Sequence, residues 1–370
     1  MQFTISSSAF SSMLKVASKA IASKNTMPIL DCFLIEIEDS GINITGSSES
    51  RSIKMKMPII DYSDSARICV EAKRLMEVLA NIPEQPLVLE YNENTHELNG
   101  KHSNGKFSVM CQESEVYPTF AQVEDGQMFT ISSKDLLSGI NVCQFVALVD
   151  DPIIWRNVIY FDIKEDNLTI AATDGRKLVK KVYDNIKLGF NGGMPMPKTV
   201  AIILKNALKH DTDVTFTYNK ERAKIEFEDT EILFRMPETK YPNYNCVIPA
   251  ERPIQASLDR LSIIGALKRV GVFSNKSNDM VQLELKDKQV FLSGRDNDYN
   301  TSAEEHFACD YEGEPFSIGF SHQFGFEMLN NMDCEHVRVE LSQSNKPLVF
   351  VPDEENSNLL MLLMPIMIAQ

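Results

Sequence analysis

The sequence predicts an α+β fold made of three tandem copies of one domain. Three observations support this prediction: a motif that recurs at a fixed period, strand-like segments without a βαβ rhythm, and helical segments that occur twice in each third of the chain. The clearest repeat is the opening "FTIS" at residues 3–6, which returns at residues 129–132. In both places a short β-type run leads into serines and then into apolar residues at helical spacing.

The repeat period sets the expected domain boundaries. Placing Ile5 on Ile131, and Ile131 on Leu258, gives offsets of 126 and 127 residues. A Tyr-Pro pair that begins at Tyr117 recurs at Tyr241, 124 residues later. A period of this length is the size of an independently folding domain and is too long for a solenoid repeat. We therefore predict domains over residues 1–127, 128–252 and 253–370.

Six segments have the apolar spacing of helices, two in each predicted domain. Serines precede the first helical residues of the repeated motif. A serine hydroxyl is a good N-cap because it accepts a hydrogen bond from an amide of the first turn. The predicted helices cover residues 7–21, 72–81, 133–146, 197–209, 259–271 and 321–332.

The remaining segments read as β-strands joined by short turns. Residues 41–47, 166–175 and 288–296 each run as an alternating strand into small or turn-forming residues, again near the repeat period. Asp174 and Gly175 supply the turn of a tight hairpin, because both residue types tolerate a positive φ. Strands at such short spacing predict antiparallel sheets.

Composition predicts a cytoplasmic protein that does not associate with membranes. Apolar residues make up 43% of the 370 residues, which is enough for each third to bury a core. No basic segment followed by a long apolar run opens the chain, so we expect no secretory signal. The longest apolar run, residues 359–369, has eleven residues and contains a proline, whereas a membrane helix needs about 20. The seven cysteines form no CxxC pair, which favours a reducing compartment.

Charge is divided unequally between the predicted helices and the rest of the chain. The net charge is −15, which taken alone argues against binding to nucleic acid. The six predicted helices nevertheless carry eleven basic and four acidic residues, a balance of +7 that leaves −22 for the remainder. In the fourth helix, Lys198, Lys205 and Lys209 fall on one stripe. An ordinary solvated lysine face explains one such helix, but the acid-poor bias of the whole set indicates a basic surface formed by helices.

Neither a catalytic nor a metal site is expected. The six histidines form no HExxH or HxH motif, and the nearest metal-like spacings pair His306 with Cys309 and Cys334 with His336. Two ligands do not make a metal site. Nucleophile-elbow and phosphate-loop motifs are missing as well. Adjacent carboxylates are interpreted as solvated surface, so we expect no enzyme activity and no cofactor.

Four motifs within this repeat resemble the bacterial DNA polymerase III β subunit, the family of sliding clamps. They are "MPIL" at 27–30, "ATDGRKL" at 172–178, "YPNYNCVIP" at 241–249 and "LLMPIM" at 362–367. The similarity runs the whole length of the chain. Each motif is modest by itself, but their order and spacing within a threefold repeat make the resemblance specific.

The resemblance implies the DNA clamp fold, with antiparallel sheets outside and helices lining a ring. Two copies of the chain would join head to tail into a homodimer that encircles double-stranded DNA without sequence specificity. Such a ring has no catalytic activity and serves as a processivity factor for DNA replication. The replicative DNA polymerase, the clamp loader and repair proteins would bind it through short linear peptides.

The resemblance also places the peptide groove between the second and third domains. A mostly apolar cleft with a few polar groups suits a peptide, and methionine suits a surface that binds several partners. Two positions depart from the family pattern: Arg156 stands where an aliphatic residue is common, and Cys246 where a basic one is frequent. One wall is therefore expected to be reshaped. The expected groove residues are Arg156, Thr173, Gly175, Arg176, Lys177, Leu178, Pro242, Cys246, Val247, Pro347, Leu362, Met364, Pro365 and Ile366.

The same comparison of motifs gives expectations for DNA and for the dimer. Trp155 matches, more loosely, an aromatic position near the DNA. The expected DNA-facing residues are Lys24, Lys73, Arg74, Lys134, Lys198, Lys205, Lys209, Arg260 and Arg269. The expected dimer contact joins Val272 and Phe273 of one copy to Phe107 and Val109 of the other, which extends a sheet and protects edge strands.

Two other classes of protein stay open at this point. One is a scaffold of the same fold that binds proteins but never encircles DNA, against which the charge of the helices speaks. The other is an enzyme with an unrecognised site. The sequence does not fix the stability of the ring, the identity of the loader or the exact peptide preference.

Overall fold

The computed structural model describes residues 1–38, 41–59, 61–355 and 357–368. Within these ranges the chain forms one α-helix in each of the six segments where apolar spacing predicts one. Each observed helix is shorter than predicted, by one or more residues at its ends. The helices are α1 (Ser7–Ala17), α2 (Ala72–Leu79), α3 (Ser133–Cys143), α4 (Lys198–Ala207), α5 (Arg260–Val270) and α6 (His322–Asn330).

The strands of the same residues fall between these helices in short runs. Those of the first half are β1 (Gln2–Ser6), β2 (Cys32–Glu38), β3 (Gly41–Ser47), β4 (Arg51–Met57), β5 (Asp61–Tyr62), β6 (Ala66–Glu71), β7 (Pro86–Asn92), β8 (Glu97–His102), β9 (Gly105–Gln112), β10 (Gln127–Ser132), β11 (Val158–Ile163), β12 (Leu168–Thr173) and β13 (Lys177–Tyr183). Those of the second half are β14 (Gly192–Pro197), β15 (Asp213–Tyr218), β16 (Arg222–Phe227), β17 (Thr230–Arg235), β18 (Ile254–Asp259), β19 (Met280–Lys286), β20 (Gln289–Asp296), β21 (Thr301–Ala308), β22 (Phe316–Ser321), β23 (His336–Leu341), β24 (Leu348–Pro352) and β25 (Leu359–Leu363).

The fold class is α+β, as predicted, with antiparallel sheets. Neighbouring strands pair antiparallel, both in hairpins such as β12 with β13 and in long-range pairs such as β13 with β25. The expected hairpin turn forms with Gly175 at a φ of +89°, but Asp174 does not adopt a positive φ and instead accepts hydrogen bonds from the amides of Arg176 and Lys177. The apolar run near the C-terminus provides β25, of which Leu362 and Leu363 are buried.

The chain divides into two compact units. One consists of Met1–Leu136 with Ile202–Met236, and the other of Leu137–Ala201 with Pro237–Gln370. The chain leaves the first unit within α3 and returns to it within α4. The three domains predicted from the repeat period stay a prediction.

The first unit is built on one sheet of 13 strands. Its order is β10-β15-β16-β17-β4-β3-β2-β6-β9-β8-β7-β1-β5. Helices α1 and α2 contact each other, and their buried residues join the strands in a continuous apolar core. Phe10 and Leu14 of α1 have no solvent exposure, which shows that this helix gives its apolar face to the sheet.

The second unit contains two sheets. One has 8 strands in the order β14-β11-β12-β13-β25-β24-β23-β18, and the other has 4 strands in the order β21-β20-β19-β22. Helices α5 and α6 pack against each other, and α5 also packs on β20 and β21.

One strand junction occurs in both units with the same register. In the first unit β4 pairs with β17, so that Ile53 lies opposite Ile232. In the second unit β13 pairs with β25, so that Val179 lies opposite Met361. The hydrogen bond that follows each junction also recurs: the Arg235 amide donates to the Ser50 carbonyl at 2.8 Å, and the Met364 amide to the Arg176 carbonyl at 2.9 Å. The sequence repeat is therefore a repeat of strand pairing.

Serine caps explain where several helices begin. The Ser6 hydroxyl accepts from the Ala9 amide at 3.2 Å, and the Ser132 hydroxyl accepts from the Asp135 amide at 3.1 Å. The caps predicted from the two "FTISS" copies are thus confirmed. Asp259 takes the same role before α5, where its carboxylate accepts from the Ser262 amide at 2.7 Å.

Glycines mark the place where a strand passes closely over the end of a helix. A Cβ on Gly46 would lie 2.3 Å from the Ala17 carbonyl oxygen, and one on Gly294 would lie 2.8 Å from the Val270 carbonyl oxygen. The two positions are equivalent in the repeat, and the middle copy has the buried Ala172 there. The C-terminal ends of α1 and α5 therefore pack against the backbone of a glycine, at Gly46 and Gly294 respectively.

We expect Gly46→Ala to destabilise the first unit by about 2 kcal/mol, because a methyl group cannot share space with a backbone carbonyl. Thermal unfolding followed by circular dichroism measures the loss. The matched control is Ala172→Gly, which should cost only about 1 kcal/mol through backbone entropy. An unchanged midpoint for Gly46→Ala would show that the helix end moves away freely.

Candidate functional site

A small cavity of about 120 Å³ lies beside the junction of β13 and β25 in the second unit. Four segments form its walls: the short 3₁₀ turn that contains Trp155, the β12–β13 hairpin, the loop that follows residue 241, and the end of β25. The lining residues are Trp155, Thr173, Gly175, Arg176, Lys177, Leu178, Pro242, Asn243, Tyr244, Val247, Leu362 and Met364.

The hairpin wall is held by its own polar side chains. The Thr173 hydroxyl accepts from the Gly175 amide at 3.1 Å and donates to the Lys177 carbonyl at 2.7 Å. One oxygen of Asp174 accepts from the amides of Arg176 and Lys177 at 2.8 and 2.7 Å. These bonds fix the turn before anything binds, so the wall is preorganised.

The loop wall is anchored by stacked tyrosines. Tyr241 stacks on Tyr160 with ring centroids 4.4 Å apart, and the Tyr244 hydroxyl donates to the Asp162 carboxylate at 2.7 Å. Burial raises the pKa of Tyr244 well above its ordinary value, and the Asp162 hydrogen bond raises it further, so the phenol stays protonated. This part of the loop is consequently fixed, while Val247 further along is 46% exposed.

The wall at the end of β25 presents Met364, which is 40% exposed although it follows a buried strand. Leu362, two residues earlier, is buried and forms the floor of the cavity. An exposed thioether above an apolar floor is a contact that many apolar side chains can use.

Lys177 has its ammonium group turned away from solvent. The Nζ atom lies 2.6 Å from a carboxylate oxygen of Glu327 on α6 and 3.7 Å from Asp174, and it stands 4.4 Å from the centre of the Phe324 ring. Only 6% of the side chain is exposed. Lys177 therefore joins β13 to α6, and its charge is already neutralised when the cavity is empty.

Arg156 is expected in the wall of the groove, and its neighbour Trp155 also stands there. Trp155 is the residue that lines the cavity, and the Arg156 guanidinium stacks on that indole at 5.3 Å. The guanidinium also lies 3.8 Å from the Asp151 carboxylate, and one of its nitrogens is 3.7 Å from the point where Gly175 would carry a Cβ. The charge at this wall is thus placed behind an aromatic surface. The looser expectation that Trp155 lies near DNA stays a prediction.

The other expected groove residues divide between two cavities. Thr173, Gly175, Arg176, Lys177, Leu178, Pro242, Val247, Leu362 and Met364 line the first cavity. Cys246 and Pro347 line an adjoining cavity of about 480 Å³, which shares Val247 and Met364 with the first. Pro365 and Ile366 line neither, and the Ile366 amide donates to the Gly319 carbonyl at 2.7 Å.

Sequence reasoning missed three lining residues: Trp155, Asn243 and Tyr244. Asn243 and Tyr244 follow directly on the Tyr-Pro pair that marks the repeat, so that motif could have signalled them. No comparable signal distinguishes Trp155 from Arg156.

The expected DNA-facing residues differ in how free their charges are. Lys198 is half-buried and donates to the Ala147 carbonyl at 2.7 Å. Burial lowers its pKa, and the nearby charge of Lys177 lowers it further. Arg260 donates to the Cys334 and Leu329 carbonyls at 2.6 and 3.1 Å. Both side chains are therefore already hydrogen-bonded within the chain, and their role towards DNA stays a prediction.

Arg269 is engaged as well. Its guanidinium makes two hydrogen bonds of 2.7 Å to the Glu305 carboxylate, which lowers the pKa of Glu305. The remaining six side chains are exposed to solvent, and Arg74 is 3.4 Å from Glu71. The exposed set consists of Lys24, Lys73, Arg74, Lys134, Lys205 and Lys209.

Two of the four expected dimer residues are exposed apolar side chains. Val272 is 76% and Phe273 39% exposed, in a short 3₁₀ turn after α5. Phe107 is half-buried and Val109 is buried, both on β9. Exposed apolar residues of this size are candidates for an interface.

Among the described residues there is no group of three or more His, Cys, Asp or Glu side chains that could hold a metal ion. The cysteines of this part of the chain are free, and burial raises the pKa of the Cys111 thiol to about 12. The helices of the described ranges are too short or too polar to cross a membrane.

Comparisons with known proteins agree with this architecture. The family model "DNA polymerase III beta subunit, N-terminal domain" matches residues 1–121, and the model of the C-terminal domain of the same subunit matches residues 245–367. The beta sliding clamp of Staphylococcus aureus is 24% identical over 376 aligned residues and that of Staphylococcus epidermidis 22%, with 99% of both chains covered in each comparison.

Solved structures show the same fold. A DnaN sliding clamp from Pseudomonas aeruginosa bound to griselimycin matches with a TM-score of 0.94 at 21% identity, and the DNA polymerase III beta subunit from Thermotoga maritima with a TM-score of 0.91 at 21% identity. Both matches cover 100% of each chain. The two family models together span most of the sequence, and the chain belongs to the DNA polymerase III beta subunit family.

We expect Glu327→Leu to lower the free energy of unfolding by roughly 2–3 kcal/mol, because it leaves the Lys177 ammonium buried with only Asp174 nearby. Chemical denaturation measures the loss. The double variant Lys177→Met, Glu327→Leu should recover most of it, since no buried charge is then left unpaired. If the double variant were as unstable as the single one, packing and not the charge would hold α6 on β13. Glu312→Gln, which removes an exposed pair with Lys288, serves as the control and should have no measurable effect.

Proposed function

We propose that this chain is a DNA polymerase processivity factor that works as a closed homodimeric ring. The ring encircles duplex DNA without reading its sequence, and the cavity beside the β13–β25 junction holds short peptides of the replicative polymerase and other partners. It catalyses no reaction. Family membership supports the processivity role, and the free strand edges support closure into a ring.

The observation that carries the proposal is a pair of strand edges left without partners. In the described chain, β9 pairs with β8 along its length, but it pairs with β6 only at Cys111 and Gln112, so the edge of residues 105–110 is free. Strand β21 is the outer strand of its sheet and pairs with β20 alone. Free edges of this length invite pairing with another chain.

The repeat predicts how these two edges fit each other. Strand β21 takes the position of β4 and β13, and β9 takes the position of β17 and β25. Counting along the paired strands places Ala303 opposite Phe107, which makes Glu304 directly opposite Lys106. Copies joined in this way are related head to tail, and such contacts close into a ring when the rotation permits.

Charge at this position supports the pairing. At the junction inside the first unit, Lys54 lies opposite Glu231. At the proposed junction Glu304 lies opposite Lys106, which is the same opposition with the charges exchanged. Opposite charges on facing strands are favourable and like charges are not. The exposed turn with Val272 and Phe273 precedes this sheet and would be covered by the partner.

We expect Glu304→Lys to weaken dimerisation by about tenfold, because it places two lysines opposite each other at both junctions of the ring. Analytical ultracentrifugation over a range of concentrations measures the dissociation constant. Adding Lys106→Glu should restore the dimer, since the charges are then exchanged and still opposite.

Glu312→Lys is the matched control, because Glu312 lies outside β21 and should leave the dimer intact. Failure of Lys106→Glu to rescue Glu304→Lys would contradict the proposed register. A chain that stays monomeric at all concentrations would contradict the ring itself.

The basic helix surface supports DNA binding by charge alone. Of the stripe on α4, Lys205 is exposed, as is Lys209 just beyond the helix end, whereas Lys198 is held by the Ala147 carbonyl. Flexible exposed lysines neutralise phosphates without recognising bases, which permits sliding. A scaffold that does not encircle DNA has no use for such a surface.

We expect Lys205→Glu with Lys209→Glu to shorten the retention of loaded rings on nicked circular DNA and to lower the salt slope of log K by about 2. Retention is measured by gel filtration of the loaded complex at several salt concentrations. Lys187→Glu with Lys220→Glu, two exposed loop lysines, is the control with equal charge change. Equal loss in both double variants would contradict the assignment of α4 to the DNA side, and equal binding to linear and circular DNA would favour the scaffold.

A further inference from the structure

The first unit contains a cavity of about 360 Å³, which we call the second cavity. Its position in the repeat corresponds to that of the 120 Å³ cavity in the second unit, which we call the first cavity. The second cavity lies beside the β4–β17 junction as the first lies beside the β13–β25 junction. The repeated Tyr-Pro pair makes Pro118 the counterpart of Pro242, and strand register makes Arg235 the counterpart of Met364. The hydrogen bond of the Arg235 amide to the Ser50 carbonyl recurs at Met364, so the two cavities share their backbone frame.

The second cavity differs from the first in carrying two arginines. Arg222 and Arg235 lie directly opposite each other on β16 and β17, and both line the cavity. Like charges in this arrangement repel, which costs stability. Within the described residues no carboxylate lies within 4.0 Å of either guanidinium, although ion pairs are frequent elsewhere in the same sheet. Arg222 is half-buried and Arg235 is exposed, so solvent screens part of the repulsion, and the described carboxylates form an ion pair with neither guanidinium.

The remaining walls are mostly apolar. Among the lining residues, Met27 is 43% exposed, Leu30 is buried, and Phe120 is half-buried. One carboxylate, Glu49, lines the cavity and accepts a hydrogen bond from the Thr26 hydroxyl. Two cations thus face one anion in an apolar frame, which leaves an excess of positive charge for a ligand.

We propose that this cavity is a second docking site, which takes a short linear peptide with a carboxylate side chain next to an apolar one. The carboxylate binds between the guanidiniums of Arg222 and Arg235 and relieves their repulsion, since an arginine fork suits a carboxylate. The apolar side chain packs against Met27 and Phe120. Apolar walls favour a peptide over a bare phosphate group or a nucleic acid backbone. The proposal goes beyond the function proposed above and shares with it only the common frame of the two cavities.

Methionine methyl groups provide a separate reporter for each cavity. Met27 lines the second cavity and Met364 the first, and each NMR signal is assigned by its Met→Leu variant. The probes are the peptide acetyl-Phe-Glu-Leu-Glu-Leu-amide and its neutral counterpart with Gln in place of Glu, titrated into the full-length chain labelled at its methionine methyls. We expect the acidic peptide to shift the Met27 signal and the neutral peptide to do so about tenfold more weakly.

Arg222→Gln with Arg235→Gln should abolish the Met27 shift and leave the Met364 response unchanged. This variant keeps the fold, because removing opposed like charges should leave the thermal midpoint unchanged or raise it. An equal Met27 response to both peptides, or one that survives in the double variant, would overturn the proposal. So would an equal shift with inorganic phosphate or a DNA oligonucleotide, which would assign the arginines to nucleic acid. A missing Met364 response, with Met27 behaving as expected, would instead count against the peptide groove of the proposed function.

Discussion

The structure depends on one interaction: the main-chain pairing of strands from successive repeats. At the β4–β17 and β13–β25 junctions the sheet continues through antiparallel pairing between strands that are far apart in sequence. Hydrogen bonds between backbones require no particular side chains. The side chains at Ile53 and Val179, or at Ile232 and Met361, can therefore differ while the register stays the same.

Both cavities follow from this pairing. A strand that ends beside a hairpin turn leaves a recess at its last residue, which is occupied by Met364 in one unit and Arg235 in the other. The backbone frame is common to both cavities, and their chemistry differs through a few side chains. Gly175 and Met364 line the cavity of the second unit, whereas Glu49 and Arg235 stand at the corresponding positions in the first unit. One backbone arrangement thus produces an apolar groove in one place and a cationic one in another.

Local sequence patterns predicted the helices, the serine caps and the Asp174–Gly175 hairpin, because each depends on residues close together in the chain. The partners of charged side chains were beyond such patterns. Arg269 reaches a carboxylate 36 residues away, and Lys198 reaches a carbonyl 51 residues away. Likewise the 3₁₀ turn before β11 places Trp155 in the cavity wall with Arg156 beside it, and the order of two neighbouring residues at such a wall is invisible to periodicity.

The unpaired edges of β9 and β21 also bear on the origin of the chain. If the three predicted repeats fold alike, each would have one edge of each kind, and an isolated repeat would then be complementary to a copy of itself. Gene duplication and fusion would then convert contacts between separate chains into contacts within one chain, and would leave the edges of β9 and β21 to be joined by assembly. The head-to-tail polarity of such an oligomer would be inherited directly from the direction in which an ancestral domain added one strand to another.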